Sequence, residues 1–207
     1  MRLGFLGPSD GSIEGLGRAA DFLINTAKVH RAIYLGADGA LDEAVARWAR
    51  KVVGDDPTDD AAWRRAASVA MRGTPQAIDA FVRSERARLR LKSLESLPPG
   101  ALRSMEMVGD RVAVIVHDKS LLDEEDIFAA NVLVFGKSAE PVVKKIGARW
   151  FVSPGHIGCA GGGVAVLDDE GDDIVAAVYD LDGRCSVKET LAAMRTAKMK
   201  VQGGGGA

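Results

Sequence analysis

Apolar positions recur along this chain at two spacings, and the alternation between them lays out its elements. Residues 2–6 form a short apolar run closed by Gly7-Pro8, which predicts a buried strand. Ser12 then caps a predicted helix over 13–26, with Leu16, Ala20, Leu23 and Ala27 as its apolar stripe. A second strand is predicted over 32–35. A second helix follows over 41–53, with Ala44, Val45, Trp48 and Val52 at helical spacing. Strand, helix, strand, helix in that order predicts right-handed crossovers and parallel pairing at the start of the chain.

Residues 55–99 change character. Ala, Arg and Glu dominate, and strand patterning is nearly absent. Helices are predicted over 59–71 and 75–96, ended by Pro98-Pro99. Asp59 or Asp60 is the expected cap of the first and Thr74 of the second, with Pro75 at the first helical position. The stretch is expected to be a helical insertion or a flanking layer. Beyond Pro99 the pattern turns to strands over 102–107, 112–116, 132–135, 142–146, 149–152, 164–167 and 174–179. A short acidic helix is expected over 123–130. A last helix is expected over 186–199, capped by Ser186, with a flexible Gly-rich tail over 203–207. Residues 1–202 are expected to make one domain.

Composition narrows the function classes. The chain has 207 residues, of which 47% are hydrophobic and 27% charged, as in ordinary globular proteins. A net charge of −2 gives no general pull toward nucleic acid or an anionic membrane. The first residues run straight into RLGFLG, too short and too early for a signal-peptide core, and no apolar run approaches a membrane span. Cys159 and Cys185 lack metal-type spacing and are expected to be reduced thiols. A cytoplasmic protein is the expectation. The richness in Ala, Gly, Arg and Val suits a GC-rich genome.

Four short frames carry more specific information. Residues 3–16 read LGFLGPSDGSIEGL, 33–36 read IYLG followed by Ala37, 134–141 read VFGKSAEP, and 153–155 read SPG running into GHIG. In order, these resemble four blocks of the calcineurin-like metallophosphoesterases: strand-SDxHGNLxAL, strand-LGD, strand-FGHTHxP and strand-NPGS. The likeness spans 1–54 and 101–183 and closes with GGVAVLDDEG and VYDLDG. It is nearest to the small bacterial phosphodiesterase-like branch that includes the retromer's phosphoesterase-fold subunit. The resemblance implies an α/β protein, a four-layer αββα sandwich of two mixed sheets. It also implies two divalent ions held by a dense set of His and carboxylate ligands, about 3.5–4 Å apart.

The frames are present but most ligand letters are not. The Asp and His of the first block fall at Pro8 and Asp10, and the bridging Asp of the second falls at Ala37, with Asp38 one residue late. The only candidate for the next block is 54–57, where Asp55 stands at the ligand position. His117 is kept and is followed by Asp118. The two histidines of the final block become Lys137 and Ala139, and His156 lies in the SPGHIG segment. The former rim therefore comprises Pro8, Asp10, Ala37, Asp38, Asp55, His117, Lys137, Ala139 and His156. The ammonium of Lys137 is expected to repel a cation and to pair with Asp10 or Asp55.

The reading that follows is a catalytically inactive phosphoesterase-fold protein that serves as an interaction or scaffold module. It would have no catalytic residue and no cofactor, with a protein as partner or a further copy of the chain. One alternative is a phosphodiesterase or phosphatase using Mn or another divalent metal at Asp10, Asp38, Asp55 and His117. Another is a sensor that binds a phosphorylated small molecule through Lys137 and backbone amides. Arg83, Arg86, Arg88, Arg90 and Lys92 make the helix over 75–96 basic, either as a solvated face or as a docking surface for an acidic partner. Base-stacking aromatics are not interleaved there, so nucleic acid is not an expected partner. Gly161, Gly162 and Gly163 precede a strand and are expected to form a tight turn. Cys159, Ser9 and Ser12 have no nucleophile context.

Overall fold

The computed structural model describes residues 1–169 and 173–192. β1 (Arg2–Leu6) enters the core, and the chain turns at Gly7 into α1 (Ile13–Asp21), which continues as a π-helical turn over Phe22–Thr26. Ser12 caps α1 by accepting from the Gly15 amide at 3.2 Å. β2 (Arg31–Tyr34) and α2 (Ala40–Val53) follow. α3 (Asp59–Arg72) and α4 (Pro75–Leu91) lead to β3 (Leu94–Ser96). Thereafter come β4 (Arg103–Val108), β5 (Arg111–Val116), α5 (Glu124–Ala129), β6 (Val132–Phe135), β7 (Val142–Ile146), β8 (Arg149–Ser153), β9 (Val164–Asp168), β10 (Ile174–Tyr179) and β11 (Cys185–Leu191).

The strands form two mixed sheets. The first has the order β11-β10-β9-β1-β2-β3, with β1, β2 and β3 parallel. The second has the order β4-β5-β6-β8-β7, with β5, β6 and β8 parallel. They pack face to face through Leu3, Phe5, Ile33 and Leu35 on one side and Ile115, Val134 and Val152 on the other, all buried. Alternate residues of the first sheet, such as Tyr34 and Val166, point outward under α1 and α2, where Leu16, Leu23 and Leu41 cover them. Val114, Val116, Leu133 and Phe135 form the outer apolar face of the second sheet, alongside Ala130 at the end of α5. The αββα sandwich expected from the frames is therefore the architecture of the chain.

Three expectations are corrected. The helix predicted to Ser96 stops at Leu91, and Leu94–Ser96 pairs with β2 in parallel register. Its three residues follow the helix without a Gly or Pro between them, so no break marked the change. The helices over 59–91 thus lie in the crossover between two neighbouring strands. Thr58, not Asp59 or Asp60, caps α3, accepting from the Ala61 amide at 3.3 Å. The last predicted helix begins instead as β11, an edge strand paired antiparallel with β10. Its exposed positions give the run 185–191 a polar character, and the inward-facing residues are Val187 and Leu191. The remainder of that predicted helix and the Gly-rich tail lie outside the described residues.

Candidate functional site

Parallel strands direct their C-terminal loops to the same edge, and that edge is where open α/β sheets hold ligands. Here β1, β2 and β3 in one sheet and β5, β6 and β8 in the other each end in such a loop. A backbone bond joins the loops across the sandwich. Ile157, after β8, donates its amide to Pro8 O, after β1, at 2.8 Å, while Gly7 donates to Gly163 O at 2.9 Å and extends the β1–β9 ladder at the rim. The His117 ring spans the two sheets, with Nδ1 2.7 Å from Leu35 O at the end of β2. A carbonyl oxygen only accepts, so Nδ1 donates in that contact. Gly136 is required beside it, because a Cβ there would lie 2.5 Å from the same carbonyl. Gly7 is required in the same way, since a Cβ would collide with Gly155 O.

Two carboxylates at this rim, Asp38 and Asp118, already have structural work. Asp38, though exposed, accepts at Oδ1 from the Tyr34 hydroxyl at 3.0 Å and from the Ala40 amide at 3.1 Å, fixing the start of α2. Asp118 accepts from the Ser120 amide at 2.9 Å and from Lys137 Nζ at 2.8 Å. The Lys137 ammonium is the main reason the Asp118 carboxyl is held down to about 2, with the Ser120 amide adding to it. The same pairing raises the Lys137 ammonium. Asp10 sits in a left-handed turn, φ 48°, ahead of Gly11, and is exposed. Ala37 and Ala139 are exposed and supply no donor atom, and Pro8 is half-buried. His156 is half-buried in the loop after β8, its carbonyl accepting from the Cys159 amide at 3.1 Å.

Lys137 therefore pairs with Asp118, and not with Asp10 or Asp55. Asp55 is not on the rim. α2 starts at the rim and its 14 residues carry the chain roughly 21 Å away before Asp55 is reached. The loop that follows the third parallel strand is Leu97-Pro98-Pro99-Gly100, which contains no His, Asp or Asn. The sequence hid this because β3 was absorbed into the preceding helix. The Pro-Pro-Gly breaker was the available signal.

The sequence reading also missed Tyr34. Its ring is fully buried under the rim and lies across Gly36. The hydroxyl donates to Asp38 or to Ser9 Oγ, each at 3.0 Å, and accepts from the Ser9 amide at 2.9 Å. Burial pushes the phenol up to about 12. A tyrosine inside a buried strand needs a partner for its hydroxyl, and that need was the clue in IYLG. The Gly161–Gly163 segment is the tight turn expected: Gly161 and Gly163 have positive φ, and Gly162 packs against Cys159 Sγ and Pro154 O. Burial pushes the Cys159 thiol up, which keeps it protonated at neutral pH and unsuited to nucleophilic attack.

A two-metal centre needs several ligands aimed at a shared point, one of them bridging. Among the described residues no group of three or more His, Cys, Asp or Glu side chains is placed to hold a metal ion. The rim residues do not fit such a centre. They amount to the imidazoles of His117 and His156, an exposed Asp10, a Lys–Asp pair in the position of the last block, and an aspartate committed to a helix start, which do not gather around a shared point.

No family model matches this chain and no curated protein matches it. Its fold does match solved structures. YfcE, a phosphoesterase from E. coli, superposes with a TM-score of 0.56 at 16% identity, covering 93% of this chain and 100% of that one. An archaeal phosphodiesterase superposes with a TM-score of 0.50 at 13% identity, covering 86% of this chain and 100% of that one. The fold is thus the metallophosphoesterase-like sandwich, as the four frames implied.

Proposed function

We propose that this chain is a catalytically inactive phosphoesterase-fold protein that acts as a protein-interaction module. The observation that carries the reading is the Lys137–Asp118 pair at the ends of β6 and β5. A cation has replaced a ligand and has taken up the neighbouring carboxylate. In hydrolysis on this fold, metal ions supply an activated water and stabilise charge on the phosphoryl oxygens. With alanine at 37 and 139 and proline at 8, neither task has a provider at this rim.

The structural bonds of the rim support the same reading. Tyr34, Ser9 and Asp38 knit together the loops after β1 and β2, which in a catalytic site would be spent on ligands. The test is turnover of a generic aryl phosphodiester and an aryl phosphomonoester with and without added Mn²⁺. The expected result is no hydrolysis above background in either case. Hydrolysis abolished by His117→Ala would instead establish a rearranged metal-dependent site.

A further inference from the structure

We propose that α4 and the groove beside it form a docking surface for an acidic amphipathic helix of a partner protein. This inference rests on the reading of the chain as an interaction module. Five cationic residues lie near the C-terminal half of α4, and the structure divides them into two sets. Arg88 is buried and inward-facing, bonded to Glu85 at 2.6 Å, Asp59 at 2.9 Å and Pro57 O at 2.9 Å. Lys92 pairs with Asp59 at 2.7 Å. Both belong to the joint that fastens α3 to α4.

Arg83, Arg86 and Arg90 are a different set. They are exposed, and their spacing of three and four residues puts them on one face of the helix. Among the described residues Arg83 reaches only the Asp79 carbonyl, at 3.4 Å, and Arg90 only the Asn25 side-chain oxygen, at 3.2 Å. Among the described residues no carboxylate lies within ion-pair distance of any of the three. Elsewhere on the same helical pair acid and base are matched, as with Arg65 and Glu85 or Arg64 and Asp56. In a chain of net charge −2, this leaves one local cationic stripe without internal compensation.

An apolar groove of about 300 Å³ runs alongside, sharing Ala87 and Arg90 with the stripe. Ile24, Trp48, Val52 and Leu91 line it, the π-helical turn over Phe22–Thr26 forms one wall, and the one carboxylate at its edge, Asp21, accepts from the Asn25 side chain at 2.8 Å. Leu89, half exposed, adds apolar surface on the side of the arginines. A cationic stripe next to an apolar trough is the complement of a helix with acids at three- and four-residue spacing and apolar side chains on the adjoining face. The arrangement disfavours nucleic acid. Trp48 is half-buried between helices rather than presented for stacking, and three arginines over two turns do not track a phosphate backbone.

The probe is a fluorescein-labelled helical peptide of about 18 residues, long enough to lie along α4. It carries Glu at the matching spacing and Leu on the neighbouring face. Anisotropy titrations with the full chain are expected to show saturable binding that weakens with salt and is lost when the peptide's Glu are replaced by Gln. The variant R83Q/R86Q/R90Q is expected to bind at least about tenfold more weakly. A second variant, Ala87→Trp, keeps all three arginines while filling the groove, and it is expected to lose binding to a similar degree. Equal affinity of either folded variant and the unmodified chain overturns the proposal. So does absence of peptide binding at millimolar concentration, or binding of phosphatidylserine vesicles in its place. Hydrolytic activity is scored independently, so a negative peptide result removes this surface and leaves the inactive-rim reading intact.

Discussion

Lys137 donates from Nζ to Asp118 Oδ2 over 2.8 Å, joining the loops that end two neighbouring parallel strands. The lysine side chain is 70% exposed, so the pair sits at the surface and not in a buried metal-sized hole. Its effect on stability is correspondingly modest. Its effect on titration is distinct. With the folded carboxyl held at about 2, below its unfolded value near ~4, the contribution is present above the unfolded value. It is lost as pH falls toward the folded value. Lys137→Ala is expected to move the Asp118 carboxyl upward in an NMR titration. It should also shrink the fall in stability between about pH 4 and pH 2. An unchanged Asp118 titration in that variant would contradict the pairing.

Tyr34 is the interior counterpart of that pair. Tyr34→Phe removes the acceptor of the Ser9 amide and leaves a buried donor unsatisfied, a loss of about 1–3 kcal/mol. Urea unfolding measures this directly. The phenol's raised value means the folded chain holds that proton more tightly than the unfolded one. Stability is therefore expected to fall as pH rises from about 10 through about 12. Burial raises the Tyr179 phenol as well, so ultraviolet titration of the unmodified chain should show both tyrosines ionising above the ordinary phenol range, with a step at about 12 from Tyr34. Loss of that late step in Tyr34→Phe would assign it.

Gly7 and Gly136 let the rim loops of the two sheets come close together. Substitution by alanine at either position places a Cβ against a backbone carbonyl that cannot rotate away. Overpacking of this kind costs about 1–3 kcal/mol. By comparison Gly147, in the β7–β8 turn, has open space around it, and the cost of Gly147→Ala comes from its φ of 61° alone. Thermal unfolding of Gly7→Ala and Gly136→Ala should show a marked drop. Wild-type stability in both would show that the rim tolerates a wider sheet separation than the structure has.

Much of the fold was legible because burial on both faces writes strands as continuous apolar runs, as in RVAVIV at β5 and VLVF at β6. The exceptions have physical causes. β3 is three residues long and follows a helix in a sequence equally able to continue it. β11 is an edge strand with an exposed surface, so its polar run resembles a helix start. At the rim, the four frames located the loops after β1, β2, β6 and β8, and the kept His117 located the loop after β5. Partners across loops were less legible. The Lys137–Asp118 distance and the Tyr34–Ser9–Asp38 cluster depend on where strands adjacent in space, not in sequence, end. The misplacement of Asp55 has the same origin as the missed β3, since without that strand the third rim loop could only be sought after α2.

The proposal of an inactive rim requires that the chain hold no pair of divalent ions there. Elemental analysis of the full chain, purified without chelator and dialysed against trace Mn²⁺ and Zn²⁺, tests it most directly. The account predicts metal at well below one ion per chain, with His117→Ala indistinguishable from the unmodified protein. About two ions per chain, reduced by His117→Ala, would contradict it.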